Sequence, residues 1–234
     1  MMIKKSLIIG LDLSFSSTGI TIAYLEDTIG KKIQFHKVVF DENKNKTGKK
    51  YTPTKITNLN ITTYRLPTNL LANDVVLDLD DKNNLEQVET TIKALICSKK
   101  IGTIIKEALC TYECDELFFS IENYIMPQFS GSNQLKTVSG LIMLQGYVRE
   151  IIIRTCLDLK IEFKIFTPTP SNNKLFFARN GSADKPLMVK QFLDFYEGKK
   201  LLPDTTNDSV HAINDVVDSF SLMMHAYSKI IKNN

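Results

Sequence analysis

The stretch "LIIGLDLSFSSTGITIAY", residues 7–24, sets one carboxylate, Asp12, inside an otherwise apolar run. Residues 6–13 and 18–25 read as two strands joined by an "SFSS" turn, with Gly19 beside that turn. An unpaired ionised carboxylate in an apolar interior costs several kcal/mol. Either this strand faces water, or a positive charge belongs beside Asp12. A local alternative is a hydrogen bond from the Ser16 or Thr18 side chain in the turn.

Further along the chain the same anomaly recurs. "DELFFSIENY" (115–124) is short and apolar enough for a buried strand, and it carries one interior-looking acid, Glu122, at its carboxyl end. "DSVHAINDVVDSFSLMMHAYSKIIK" (208–232) reads as a helix. Ile213, Val217, Phe220, Met224 and Tyr227 form one apolar stripe on it, while His211, Asp215, Asp218 and Leu222 share the adjacent face. Two like charges three residues apart weaken a helix slightly, and a solvated face is their ordinary explanation. Here Val216, Val217, Phe220 and Met223 leave little of the helix for water. Four acids in apolar settings point to a carboxylate cluster, which becomes tolerable when it binds hard cations. Two Mg²⁺ ions roughly 3.5–4 Å apart between carboxylates support phosphodiester hydrolysis.

The remaining elements follow from periodicity and turn chemistry. "IQFHKVVF" (33–40) alternates as a third strand, which makes a three-stranded antiparallel meander. From 41 to about 84 the chain is rich in Thr, Asn, Lys and Asp, and reads as a polar insertion or extended loop with room for a small hairpin. Residues 85–113 have helical spacing, with Gly102 as a point where two helices would divide. Residues 132–159 form a long apolar helix, and 160–168 a strand ended by prolines. Two short helices then flank the turn at Gly181, with Asp184 as N-cap and Pro186 in the first turn. The order βββ-α-β-α-β-α predicts one α/β domain over 1–234, a mixed five-stranded sheet flanked by helices.

Bulk properties set bounds. With 234 residues, 43% hydrophobic, 24% charged and a net charge of +3, the chain has the composition of a globular protein with a weakly basic balance that suits nucleic acid. Cys97, Cys110, Cys114 and Cys156 lack the spacing of a zinc site and read as thiols of a reducing compartment. No apolar run reaches the roughly 18 residues needed to span a bilayer. "MMIKKSLIIG" begins like a signal peptide, but Asp12 interrupts the apolar stretch. The expectation is an intracellular protein without a membrane segment, cytoplasmic or, given the AT-rich-looking Lys, Asn and Ile usage, in a host cell or organelle.

Together these motifs resemble a RuvC-type Holliday-junction resolvase of the RNase H-like superfamily. "GLDLSFSSTGI" (10–20), "FFSIENY" (118–124) and "NDVVDSFSLMMHA" (214–226) match that family's acidic motifs in order, and Lys174 with "GSADK" ending at Lys185 matches its lysine pair. The resemblance covers roughly 5–40 and 115–232. It implies an RNase H-like fold, crossover junction endodeoxyribonuclease activity, and Asp12, Glu122, Asp215 and Asp218 as ligands of two Mg²⁺ ions, with Mn²⁺ substituting. Lys174 and Lys185 would position the scissile phosphate or stabilise charge on it, and His211 would be an accessory residue or a helix cap. The family wedges an aromatic residue into the junction. At the closest spacing this chain has Ile125, which leaves Tyr124 or Phe129 for that DNA contact. Symmetric cutting of branched DNA implies a homodimer. The helix 133–157 is apolar almost all round, through Leu141, Leu144, Val148, Ile151 and Ile152, so one face can meet a partner or the whole helix can lie in the core. Lys44, Lys46, Lys49, Lys50 and Arg65 either reach junction arms or form a solvated charge run.

Three other readings stay open. An RNase H-like nuclease acting on another DNA or on an RNA–DNA hybrid would use the same acids. An actin-like or sugar-kinase-type ATP-binding protein also begins with such a hairpin, but the second half offers no Gly-rich nucleotide loop. An inactive scaffold for branched DNA would not need all four acids.

Overall fold

The computed structural model describes residues 5–15, 17–25, 59–67, 82–123, 132–178, 180–195, 198–202 and 210–232. Five strands form one sheet: β1 (Ser6–Asp12), β2 (Ser17–Leu25), β3 (Leu59–Pro67), β4 (Glu116–Ile121) and β5 (Glu162–Phe166), in the order β3-β2-β1-β4-β5. β1–β2 and β2–β3 are antiparallel, whereas β1–β4 and β4–β5 are parallel. The helices are α1 (Lys82–Tyr112), α2 (Ser132–Leu159), α3 (Pro170–Ala178), α4 (Lys185–Phe195) and α5 (Val210–Lys232).

Strand alternation assigns the two faces. Leu7, Ile9 and Leu11 of β1, with Leu117, Phe119 and Ile121 of β4, pack under α1 and α2. Ile8 of β1 and Ala23 and Leu25 of β2 pack on the opposite side against Val216, Val217, Phe220 and Met223 of α5, with Phe177 of α3 and Phe192 of α4 beyond. Among the described residues no helix is long and apolar enough to cross a membrane.

Two expectations need correction. The strand that pairs with β2 is Leu59–Pro67, drawn from the polar stretch 41–84, whereas residues 33–40 lie outside the described residues. Polar composition misled because Asn60, Thr62, Thr63 and Arg65 break up the apolar pattern of β3. Thr62 is exposed, whereas Thr63 is buried and Ile61 packs on the α5-side core, a two-residue alternation carried by β-branched side chains. Gly102 does not divide α1, which runs unbroken from Lys82 to Tyr112. It is a notch: a Cβ there would strike Ile151 of α2. Ile151 therefore faces α1, while Leu144, Val148 and Ile152 lie in the core below.

Two other glycines decide where α5 sits. A Cβ on Gly10 would collide with the carbonyl oxygen of Ser219, and one on Gly19 with that of Asp215. Both glycines lie under α5, so the helix backbone rests on the sheet with no side chain between. Replacing Gly19 with alanine is expected to cost roughly 1–3 kcal/mol through overpacking, read as a fall of several degrees in melting temperature.

Candidate metal and phosphate site

The site is built at the carboxyl end of β1. The parallel register ends at Leu11↔Ile121, so Asp12 and Glu122 follow as neighbours at the ends of adjacent strands, which lie about 4.8 Å apart. Alternation turns both toward the α5 side, the side of Ile8 and Gly10. In the antiparallel register Asp12 lies opposite Gly19, and Gly19 is where the Asp215 backbone rests. One turn further along α5, Ser219 lies over Gly10 and shares a 2.9 Å hydrogen bond with Thr21. These seats fix both the height and the register of α5, and they bring its aspartates to Asp12.

The electrostatics follow from this convergence. Burial pushes the Asp12 carboxyl well above the usual carboxylate range, and the charges of Asp218, Glu122 and Asp215 push it further, against the pull of Lys185. Glu122 is pushed up to about 7, first by burial and then by Asp218, with Lys174 opposing. Asp218 is raised to about 6 by burial and by Asp215, with Lys185 and Lys174 opposing. The two lysines come from different helices, Lys174 from α3 and Lys185 from the start of α4, and their fields meet at Asp218. This answers the question posed by Asp12: positive charge is supplied beside it, but too little to offset burial and three neighbouring acids.

Several contacts hold these groups. Ser17 donates from Oγ to Asp215 Oδ2 at 2.5 Å. Gln145, buried on α2, donates to the backbone carbonyl of Glu122. The Asn123 N–H donates to Pro168 O at 2.8 Å, which ties the end of β4 to the segment after β5. Asn173, beside Lys174, donates to Ser221 Oγ at 2.7 Å, and Ser221 donates to Asp218 O at 2.8 Å, latching α3 to α5. Asp184 accepts from Leu187 N–H at 3.0 Å, the N-cap that starts α4 at Lys185.

Sequence reading did not find Ser17, Gln145 or Asn173 as parts of the site. Their signal was a polar residue in an apolar or buried setting, but their targets are distant in sequence and appear only in the fold. His211 lies in the first turn of α5, with its side chain outside the described residues. Tyr124 and Phe129 are also outside them, as are Lys44, Lys46, Lys49 and Lys50.

The donor set consists of carboxylate oxygens, the hard ligands suited to Mg²⁺ or Mn²⁺, with no thiolate among them. Among the described residues, no three His, Cys, Asp or Glu side chains already stand in coordination geometry. By donor chemistry and convergence the four acids fit divalent ions.

No protein family matches the sequence, and no curated protein matches it. Among solved structures the chain is similar to a Thermus thermophilus RuvC structure, at 11% identity over 95% of this chain and 95% of that one, with a TM-score of 0.46. It is similar to T. thermophilus RuvC in complex with Holliday junction substrate at 10% identity, over 98% and 96% of the chains, with a TM-score of 0.43. The yeast mitochondrial Holliday junction resolvase Ydc2 matches at 11% identity over 96% of this chain and 80% of that one, with a TM-score of 0.47. At such divergence the chain's own strand order carries the assignment. An antiparallel β3-β2-β1 half continued by parallel β4 and β5, with helices on both faces, is the RNase H-like fold.

Proposed function

We propose that this chain is a metal-dependent, structure-selective endonuclease that cuts branched DNA, with the Holliday junction as its substrate. The observation that carries the reading is the convergence of Asp12, Glu122, Asp215 and Asp218, with the fields of Lys174 and Lys185 crossing it, at one end of an RNase H-like sheet.

In this reading the four acids hold two Mg²⁺ ions, which Mn²⁺ can replace. When bound, the ions lower the pKa of the attacking water and neutralise charge on the leaving oxygen. The protein's own contribution is placement. Asp12 and Glu122 stand on neighbouring strand ends, and Asp215 and Asp218 descend from a helix seated on glycine. Lys174 and Lys185 enter from the α3–α4 side, where each ammonium can donate to a non-bridging phosphate oxygen and stabilise the charge gathering there. Two symmetric nicks in one junction need two such sites, and hence a C2 homodimer. Tyr124 or Phe129, which follow Glu122 in the chain, would supply the aromatic contact to DNA.

Cleavage of a synthetic four-way junction, a linear duplex and an RNA–DNA hybrid, each with Mg²⁺, tests the reading. Paired symmetric nicks in the junction alone are expected. Equal cutting of the duplex overturns junction selectivity, and preference for the hybrid moves the chain to another RNase H-like substrate. ATP hydrolysis without nicking supports the kinase-type alternative instead.

A further inference from the structure

We propose that Ser17 is a positioning residue for Asp215, setting the angle at which that carboxylate meets a divalent cation; this rests on the metal-nuclease reading above. Ser17 opens β2 and is only 6% exposed. It lies on the same strand face as Gly19 and Thr21, the face covered by α5. Its 2.5 Å bond to Asp215 Oδ2 has the length of a charge-assisted hydroxyl–carboxylate hydrogen bond.

Two restraints therefore act on one residue. The Asp215 backbone is set down on Gly19, and its side chain is held by Ser17 two residues earlier on the same strand. An aspartate on a helix keeps freedom about χ2, whose distribution is broad. A donor fixed to one carboxylate oxygen removes that freedom and selects which oxygen is presented to an ion. Partners of this kind change metal affinity by about 10–100-fold when removed.

A purely structural role is the competing explanation, and the fold contains its own control. Thr21 makes a 2.9 Å hydrogen bond to Ser219, again joining β2 to α5, but touches none of the four acids. Removing either hydroxyl should loosen the helix, whereas only the Ser17 hydroxyl should alter the response to ions.

The test titrates the full-length, metal-free protein with Mn²⁺ alone and follows thermal stabilisation, with calorimetry in parallel. Ser17→Ala is expected to raise the half-saturating Mn²⁺ concentration about 10-fold, and Ser17→Thr, which restores the hydroxyl, to return it to within about 3-fold. Thr21→Ala should lower the melting temperature without moving the Mn²⁺ midpoint. An unchanged midpoint in Ser17→Ala overturns the proposal, as does an equal shift in Thr21→Ala. If Ser17→Ala does not fold, the Thr variant decides: a midpoint as in the unaltered protein supports the role, and a large shift overturns it. Asp12→Asn separates this from the underlying reading, because a normal Mn²⁺ response in that variant removes the metal site itself.

Discussion

Replacing Asp12 with asparagine is expected to abolish junction cleavage while making the metal-free protein more stable. Asparagine keeps the shape of the side chain and removes its charge. Asp12 is the acid on which the other three converge: Asp218, Glu122 and Asp215 all raise its pKa, in that order after burial. Deleting the charge relieves repulsion on each neighbour and removes a half-buried carboxylate that Lys185 compensates only in part. At pH 8 the melting temperature should rise by several degrees, since 1 kcal/mol corresponds to about 2–4 °C in a chain of this size. The gain should shrink as pH falls, because the raised pKa lets the native Asp12 take up its proton at higher pH than a free carboxyl does. On the proposed reading the same substitution would take a ligand from the ions and should lower cleavage by about 10³-fold or more. Melting curves at the two pH values, with and without Mg²⁺, and a junction-nicking assay check both halves. A variant that loses stability at pH 8 would contradict the electrostatic account even if it were inactive.

The second large effect is a fall in metal-free stability as pH rises from about 4 to about 7, reversed by divalent ions. Glu122 goes from an ordinary value of 4.5 to about 7 in the native state, and Asp218 from 3.8 to about 6. A carboxyl whose native pKa is raised binds more protons folded than unfolded, so stability declines as pH rises. The decline starts near the unfolded pKa and is complete above the folded one, which places the window between about pH 4 and pH 7. For Glu122 alone the shift corresponds to on the order of 3 kcal/mol, or roughly 6–12 °C in melting temperature. Mg²⁺ competes with those protons, so its stabilising effect should be small at pH 5 and large at pH 8. Cleavage at fixed, sub-saturating Mg²⁺ should rise over the same interval. Thermal melts from pH 5 to pH 8 with chelator or with Mg²⁺ measure it directly. A flat metal-free profile would show that the acids do not interact as the fold places them.

These two effects express one trade-off. The interior of α5 and the ends of β1 and β4 are apolar enough to form a core, yet they hold charges that a core disfavours. The fold carries that cost through the strength of its surroundings: β2 is buried along its whole length, and α5 is buried through Val216, Val217, Phe220 and Met223. The pattern is that of a carboxylate cluster held together at the expense of the protein's stability.

Much of this was legible in the residues. Asp12 and Glu122 each stood out because an acid interrupted or closed an apolar run, and Asp215 and Asp218 because a helix with little water-facing surface kept two charges. Those are local contradictions between composition and burial, and such contradictions survive in a sequence without any fold. β3 was only half legible: its stretch has β-propensity, but Asn and Thr interrupt the apolar periodicity that would mark it as a strand of the sheet. Gly102 was misread for the opposite reason: an isolated glycine signals a break by propensity alone, and only the partner helix shows that the missing Cβ is what matters.

By itself, then, the sequence determined which residues carry charge where charge is costly, and the order of elements that carry them. It did so because hydrophobic periodicity and lone acids are properties of short segments. The tertiary structure decided how those segments meet. Gly10 and Gly19 let α5 rest on the sheet, the parallel register sets Asp12 beside Glu122, and Ser17, Gln145 and Asn173 reach partners on other elements. Close approach and hydrogen bonding act over a few ångströms in space, and the Ser17–Asp215 pair, 198 residues apart along the chain, exists only once the helix has been laid on the strands.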